Sequence, residues 1–394
     1  MKPTESNTVN LISKKLDDAC FIDFGTRVVQ KKDGGNIYPV YGGGGATFKM
    51  DTYNRESCLV VSRFAMSKQC TRFVEGKFYL NDSGLTVRPK NKKELTQEYL
   101  DYLLLTLNDT IYSLSRGTAQ RNLNVSKFRN LIINYPDSIE LQHHIANLLS
   151  KAENLIAQRK ESIRLLDEFL KSTFLEMFGN NTANDKGWNK ISLVDGCENK
   201  KDVKCGPFGT QLSKSEYRES GIPVWGIPQI NSEFKILPKE YVTEQKAAEL
   251  DEYSVVPYDI VMSRKGNVGK CSLFPKGFSK GIIHSDVLRI RTDKKRVHPV
   301  FLLFQLKYSK KIEMQIKGVT KGAIMAGINV GLLKHIIIDQ PPIELQTQFA
   351  QIVEKTEALK IQYQQSLQEL ENLYGSLSQK AFRGELTINK AVSV

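Results

Sequence analysis

Four strings in this sequence have residue types and spacings that could do chemistry. Asp339-Gln340-Pro341-Pro342-Ile343 approaches the string used by adenine methyltransferases, an Asn or Asp followed by Pro-Pro and an aromatic residue. The inserted Gln and the Ile in the aromatic position break the match, so the string reads as the lead-in to a helix. Gly42-Gly43-Gly44-Gly45-Ala46 and Gly266-Asn267-Val268-Gly269-Lys270-Cys271 invite a phosphate-loop reading, but neither carries the Gly-Lys-Ser/Thr ending that reading needs. Both are expected to be loops in which glycine permits positive φ or lets the backbone approach a partner such as a DNA phosphate. Pro136-Asp137 resembles the start of a nuclease site without an acidic-x-Lys partner downstream. Catalysis by this chain is therefore not expected.

Metal chemistry fares no better. Cys20, Cys58, Cys70, Cys197, Cys205 and Cys271 form no C-x-x-C pair and none has a His at ligand spacing. The adjacent pair His143-His144 would point to different faces of a helix. The expectation is no metal, and six reduced, mostly buried thiols.

The 394 residues, 40% hydrophobic and 25% charged, suffice for two or three domains and exclude a disordered or collagen-like chain. Residues 99–107 are too short for a membrane helix and include Asp101, and residues 1–10 lack the apolar core of a secretory signal. No membrane association and a cytoplasmic location are expected. The net charge of +13 is unevenly placed: +7 in residues 1–135, −2 in 136–180, +9 in 181–340 and −1 in 341–394. Two basic bodies alternate with two slightly acidic segments, which suits a polyanion such as nucleic acid better than a basic tail would.

A repeat explains that alternation. Ile139-Glu140-Leu141-Gln142 recurs as Ile343-Glu344-Leu345-Gln346, and the offset of 204 persists without a gap to Phe178 and Phe382, with 13 of 40 positions identical. Each copy lacks internal proline and carries apolar residues at spacings of three and four: Ile145, Leu148, Ala152, Leu155 in the first, Phe349, Ile352, Thr356, Leu359 in the second. After a four-residue slip the pattern resumes at Ile163 and Leu367, so a coiled-coil seam with one stutter is expected. Forty helical residues would span about 60 Å. The copies begin after Pro136 and Pro341-Pro342 and should stop at Gly179 and Gly384.

The basic bodies share fainter echoes. Val60-Val61-Ser62-Arg63 matches Val261-Met262-Ser263-Arg264 at offset 201, Cys70 matches Cys271, and Asn124-Val125 and Asn329-Val330 each precede a β-branched run. Short strands between Gly and Pro loops make the class α+β. The boundaries are a first body at 1–135, a helical spacer at 136–180, a second body at 181–340, a second spacer at 341–386 and a tail at 387–394.

With these residues in this order, the chain resembles the specificity subunits of type I restriction-modification systems. The resemblance spans nearly the whole sequence and includes Cys205-Gly206-Pro207-Phe208-Gly209-Thr210-Gln211-Leu212 and Ser220-Gly221-Ile222-Pro223-Val224. It implies two target-recognition domains joined by two long antiparallel helices in a pseudo-twofold repeat. Each domain would read one half of a bipartite, asymmetric site in double-stranded DNA. The helices would set the spacer and dock methylation subunits, to which a restriction subunit can be added. S-adenosylmethionine would belong to the methylation subunit, with no cofactor in this chain. A coiled-coil adaptor that does not read DNA is the alternative.

Base edges are best matched by the forked or paired donors of Arg, Lys, Asn and Gln presented on loops. The candidates are Arg63, Arg116, Gln120 and Arg121 in the first body, and Gln211, Gln229, Arg264, Lys265 and Lys321 in the second. For Arg63 and Arg264, at equivalent repeat positions, a structural ion pair competes with a DNA contact.

Overall fold

The computed structural model describes residues 9–179, 186–320 and 327–386. The chain divides into two compact units, one formed by residues up to Lys160 together with those from Gln365 onward, the other by Glu161–Gln364. Each unit thus owns one body and a half of each long helix. The tail at 387–394 lies outside the described residues.

The long helices run Ile139–Phe178 and Ile343–Phe382. They pair antiparallel within each unit. In the first, Lys160 reaches Glu371 at 2.8 Å and Tyr374 donates to Glu153 at 2.8 Å. In the second, Lys360 reaches Asp167 at 2.5 Å and the Phe174 and Phe349 rings lie 5.5 Å apart.

The inward stripe corrects the expected seam. In the first helix it follows Ile145, Leu149, Ala152, Ile156, Arg159, Ile163, Leu166 and Leu170, leaving Leu155 half exposed. In the second it follows Phe349, Val353, Thr356, Lys360, Tyr363, Leu367, Leu370 and Tyr374. Over these residues both alternate four and three, so the stutter expected before Ile163 and Leu367 is absent; the first helix instead changes to spacings of four at its end, through Leu170, Phe174 and Phe178. Arg159 and Lys360 keep the period because long aliphatic stems can lie in a seam while their charged ends leave it.

In the first unit a six-stranded sheet runs, in spatial order, Cys20–Phe24, Gly84–Pro89, Arg55–Ser62, Thr71–Leu80, Tyr38–Tyr41 and Ala46–Met50. Neighbours are antiparallel except Tyr38–Tyr41 beside Thr71–Leu80, which is parallel. The second unit splits the same plan into two four-stranded sheets. One is Val203–Cys205, Val287–Ile290, Ile260–Ser263, Cys271–Leu273; the other is Tyr241–Val242, Ile222–Trp225, Gly281–Ile283, Ser254–Val255. Where the first body has the single ten-residue strand Thr71–Leu80, the second interrupts it between Cys271–Leu273 and Gly281–Ile283.

Each body closes by pairing its two ends. Leu11–Lys15 runs antiparallel to Ile132–Pro136, and Asn189–Ser192 to Ile337–Gln340. These ribbons deliver the chain to the start of each long helix; Asp339-Gln340 ends the second strand and Pro341-Pro342 link it to the helix. A helix in each body, Gln97–Thr106 or Pro299–Tyr308, then packs toward the long helices of its own unit. Tyr99 lies 5.4 Å from the Phe382 ring. Phe301 and Phe304 join Phe174, Phe178 and Phe349 in an aromatic cluster with centroids 4.7–6.0 Å apart. No helix among the described residues is long and apolar enough to cross a membrane.

Candidate nucleic-acid interface

The strand Arg55–Ser62 ends at a loop that carries Arg63, Phe64 and Ala65. The Arg63 N–H donates to the Ser83 carbonyl at 2.8 Å, and its carbonyl accepts from the Leu123 N–H at 2.8 Å. Its guanidinium lies 4.5 Å from the Phe64 ring centroid and 4.9 Å from that of Phe24, a stacking that fixes the planar fork while leaving the residue half exposed. Its Nη1 also donates to the Asp82 carbonyl at 3.4 Å; the partners are these aromatic faces and that carbonyl, not the carboxylate that an ion pair would need. Ala65 sits at φ +48°, held there by the side-chain oxygen of Asn122, which accepts its N–H at 3.1 Å.

Asn122 belongs to a hairpin whose strands, Ser115–Arg116 and Asn122–Leu123, pair in antiparallel register. Arg116, Gln120 and Arg121 are all exposed on it. The Arg121 carbonyl accepts from Met66 N–H at 2.8 Å, and its guanidinium lies over Tyr112 at 5.1 Å. Three cations and a glutamine expected from the sequence therefore share one edge of the first body.

The Gly42–Gly45 loop adjoins that edge. A methyl group on Gly43 would come within 2.3 Å of the Phe64 carbonyl oxygen, so close approach here is to the body's own backbone. Arg72, whose pKa is lowered by burial, donates to the Gly43 and Gly44 carbonyls and to Ser62 Oγ at 3.3 Å.

The second body repeats the arrangement. The Arg264 N–H donates to the Asp286 carbonyl at 2.9 Å, and its carbonyl accepts from the Ile328 N–H at 3.1 Å. The guanidinium lies 4.8 Å from the half-exposed Phe208 ring and donates from Nε to the Ile328 carbonyl at 3.1 Å. Its other contact is Cys205 Sγ at 3.7 Å, a thiol whose pKa burial raises against the opposing pull of this arginine. Gly266, two residues on and at the register of Ala65, has φ +68°, and a methyl group on it would meet nothing within 4 Å. Lys265 is exposed and pairs with Asp286 at 2.8 Å.

The remaining candidates sit elsewhere. Gln229 is only 6% exposed; its oxygen accepts from Gly226 N–H and its amide donates to the Leu237 carbonyl, so it has no free edge for a base. Gln211 is exposed but its amide is committed to Phe208 N–H and the Tyr253 hydroxyl. Lys321 lies outside the described residues, in the segment that leads to Gly327, which bridges back to Lys265. Sequence reasoning missed Asn122, Phe24, Phe64 and Phe208, the groups that hold the arginine loops. The offset-201 register could have pointed to Phe64 and Ala65; for Phe24 and Phe208, far from the arginines in sequence, no local signal exists.

Burial pushes the thiols of Cys20, Cys197 and Cys271 up to about 12, which fits unreactive core residues. Among the described residues no group of three His, Cys, Asp or Glu side chains could hold a metal.

A family model described as the type I restriction modification DNA specificity domain matches residues 13–165 and again 186–372. A putative type I restriction enzyme MjaX specificity subunit from Methanocaldococcus jannaschii is 27% identical over 291 residues, 70% of this chain; the match spans 65% of that relative's length. Among solved structures, the S subunit of a type I restriction-modification system from M. genitalium aligns with a TM-score of 0.63 at 19% identity, covering 96% of this chain and 98% of that one. A second, from work on complex assembly and conformational transition of a type I R-M system, aligns at 0.58 and 17% identity over 95% of this chain and 98% of its own. At these identities the two structures establish a shared fold.

Proposed function

This chain belongs to the family of type I restriction modification DNA specificity domains, and on that premise we propose that it is the sequence-specific DNA-recognition subunit of a type I restriction-modification complex. Each body reads one half of a bipartite, asymmetric site. The paired helices set the spacer and dock methylation subunits, and a restriction subunit completes the assembly where one is present. Methyl transfer and its S-adenosylmethionine belong to the methylation subunit, while this chain supplies recognition and no catalytic group.

One observation carries the reading: the two bodies present the same stacked arginine on the same loop, although their sheets differ around it. Duplicated cationic loops on different frameworks suit a reader of two unlike half-sites that share a phosphate backbone. The surplus positive charge of both bodies supplies the sequence-independent part of the affinity.

The test is methylation mapping in cells that express this chain with its methylation subunit, against cells lacking the chain. A split asymmetric motif that vanishes with the chain is the expected result. An unchanged pattern despite demonstrated assembly would favour the adaptor reading. Purified chain with S-adenosylmethionine, without the second subunit, should leave the same DNA unmethylated.

A further inference from the structure

Resting on that DNA-recognition reading, we propose that Arg63 and Arg264 are matched anchors for the phosphodiester backbone, one in each body, and not base readers. The backbone hydrogen bonds of their setting are shared, while the side-chain bonds are not: Arg63 donates to the Asp82 carbonyl at 3.4 Å and Arg264 to the Ile328 carbonyl at 3.1 Å. The preceding serines, Ser62 and Ser263, each donate from the backbone N–H at 2.8 Å, to the carbonyls of Cys70 and Lys270. Each arginine then donates its backbone N–H to one carbonyl, Ser83 or Asp286, and accepts at its own carbonyl from a later backbone N–H, Leu123 or Ile328. Two residues on, the backbone of each body turns through the left-handed region, at Ala65 and Gly266.

The neighbouring side chains and connections differ. The residue after the arginine is Phe64 in one body and Lys265 in the other. The strand Tyr38–Tyr41 leads into the glycine loop, whereas its counterpart Ile222–Trp225 leads into the short helix Ile227–Asn231. The stacking partner is Phe24 with Phe64 in one case and Phe208 in the other. An element that both bodies retain while its neighbours diverge suits what any two half-sites have in common, the sugar-phosphate backbone. Phosphate contacts fix position and orientation without conveying sequence. A guanidinium pinned on an aromatic face is well suited to this, since its planar fork is set before the phosphate arrives.

The experiment uses the full chain assembled with its methylation subunit and a duplex carrying the mapped site, with binding measured across a salt series. Arg63→Gln and Arg264→Gln keep the stem and remove the charge. Each should lower the slope of log affinity against log salt by about 1 and weaken matched and base-substituted duplexes by the same factor. Weakening confined to one base pair would make the residue a base reader and overturn the proposal, as would an unchanged slope with only a lower melting temperature. A scan of single neutral methylphosphonate linkages against the unmodified complex needs no variant. It should find one sensitive linkage at the same place in each half-site, and finding none overturns the proposal. Unmodified complex that fails to bind the duplex at all would instead overturn the recognition reading itself.

Discussion

Gln142 and Gln346, 204 positions apart, make the same three hydrogen bonds. Gln142 accepts from the Thr96 N–H at 2.8 Å and donates to the Glu94 and Pro136 carbonyls at 2.8 Å each. Gln346 accepts from the His298 N–H at 2.8 Å and donates to the Arg296 and Pro341 carbonyls at 3.2 and 2.7 Å. Both are fully buried. Thr96 and His298 are the N-caps of the helices Gln97–Thr106 and Pro299–Tyr308. The repeated glutamine therefore ties the end ribbon and the packed helix of each body to the start of the long helix that follows.

Replacing Gln142 with Ala should leave the Thr96 N–H buried without an acceptor. That loss costs about 1–3 kcal/mol. Thermal denaturation should show the drop, and hydrogen exchange should accelerate at the Thr96 amide while leaving the His298 amide unchanged. Gln346→Ala should produce the reverse pattern. Equal acceleration at both amides in either variant would contradict independent clamps.

The duplication is legible because a 40-residue identity pattern survives in one dimension; the clamp is not, because two of each glutamine's three partners are backbone groups 46 to 50 residues away. The helical seam differs from the sequence pattern at alternate positions of its first half, Leu149 and Ile156 in place of Leu148 and Leu155, for a local reason. Leu148 and Leu149, like Leu155 and Ile156, are adjacent apolar residues, so three-four spacing fits either register until the opposing helix selects one. Arg159 and Lys360, being charged, read as a break in an apolar pattern. Gln211 and Gln229 have the residue type of a base reader, but whether an amide is free depends on tertiary partners that no local string reveals.

Glu153 accepts from two phenols, Tyr102 at 3.0 Å and Tyr374 at 2.8 Å, and so joins a helix of the first body to both long helices. Burial raises the pKa of both phenols, which keeps them as donors. Tyr102→Phe and Tyr374→Phe should each cost about 1 kcal/mol. Because the second removal strips the carboxylate of its remaining phenol, the double variant should depart from additivity by at least about 0.5 kcal/mol. Chemical denaturation of the four proteins in the cycle measures this, and strict additivity would show that the bridge is not cooperative.

Ala65 and Gly266 occupy the same left-handed position with different residue types. A side chain there costs about 1–2 kcal/mol, while glycine gives up about 0.5–1 kcal/mol in backbone entropy. Gly266→Ala should therefore destabilise its body by about 1 kcal/mol, since the space is open and only the backbone objects. Ala65→Gly should be near neutral or slightly stabilising. Melting temperatures of the two variants check the pair, and destabilisation by Ala65→Gly would mean that the Asn122 contact does not hold the loop.

Asp101 is a buried residue of the helix Gln97–Thr106, and burial raises its pKa from 3.8 to about 7. The Gln97 amide donates to it at 2.8 Å and pulls the other way, while the Glu98 charge adds to the rise. The folded protein holds this proton more tightly than the unfolded chain does. Its stabilising contribution is thus complete below about pH 4, declines as pH rises through the interval from 4 to 7, and is gone above 7. Asp101→Asn keeps the shape and removes the titration. The stability difference between this variant and the parent should be small at pH 4 and grow in the variant's favour by pH 8, by on the order of 4 kcal/mol. Denaturation of both proteins across that range reads the difference directly, and other titrating groups cancel in it. A difference that stays constant with pH would show that Asp101 is already ionised in the folded body, with its charge met by a group other than Gln97.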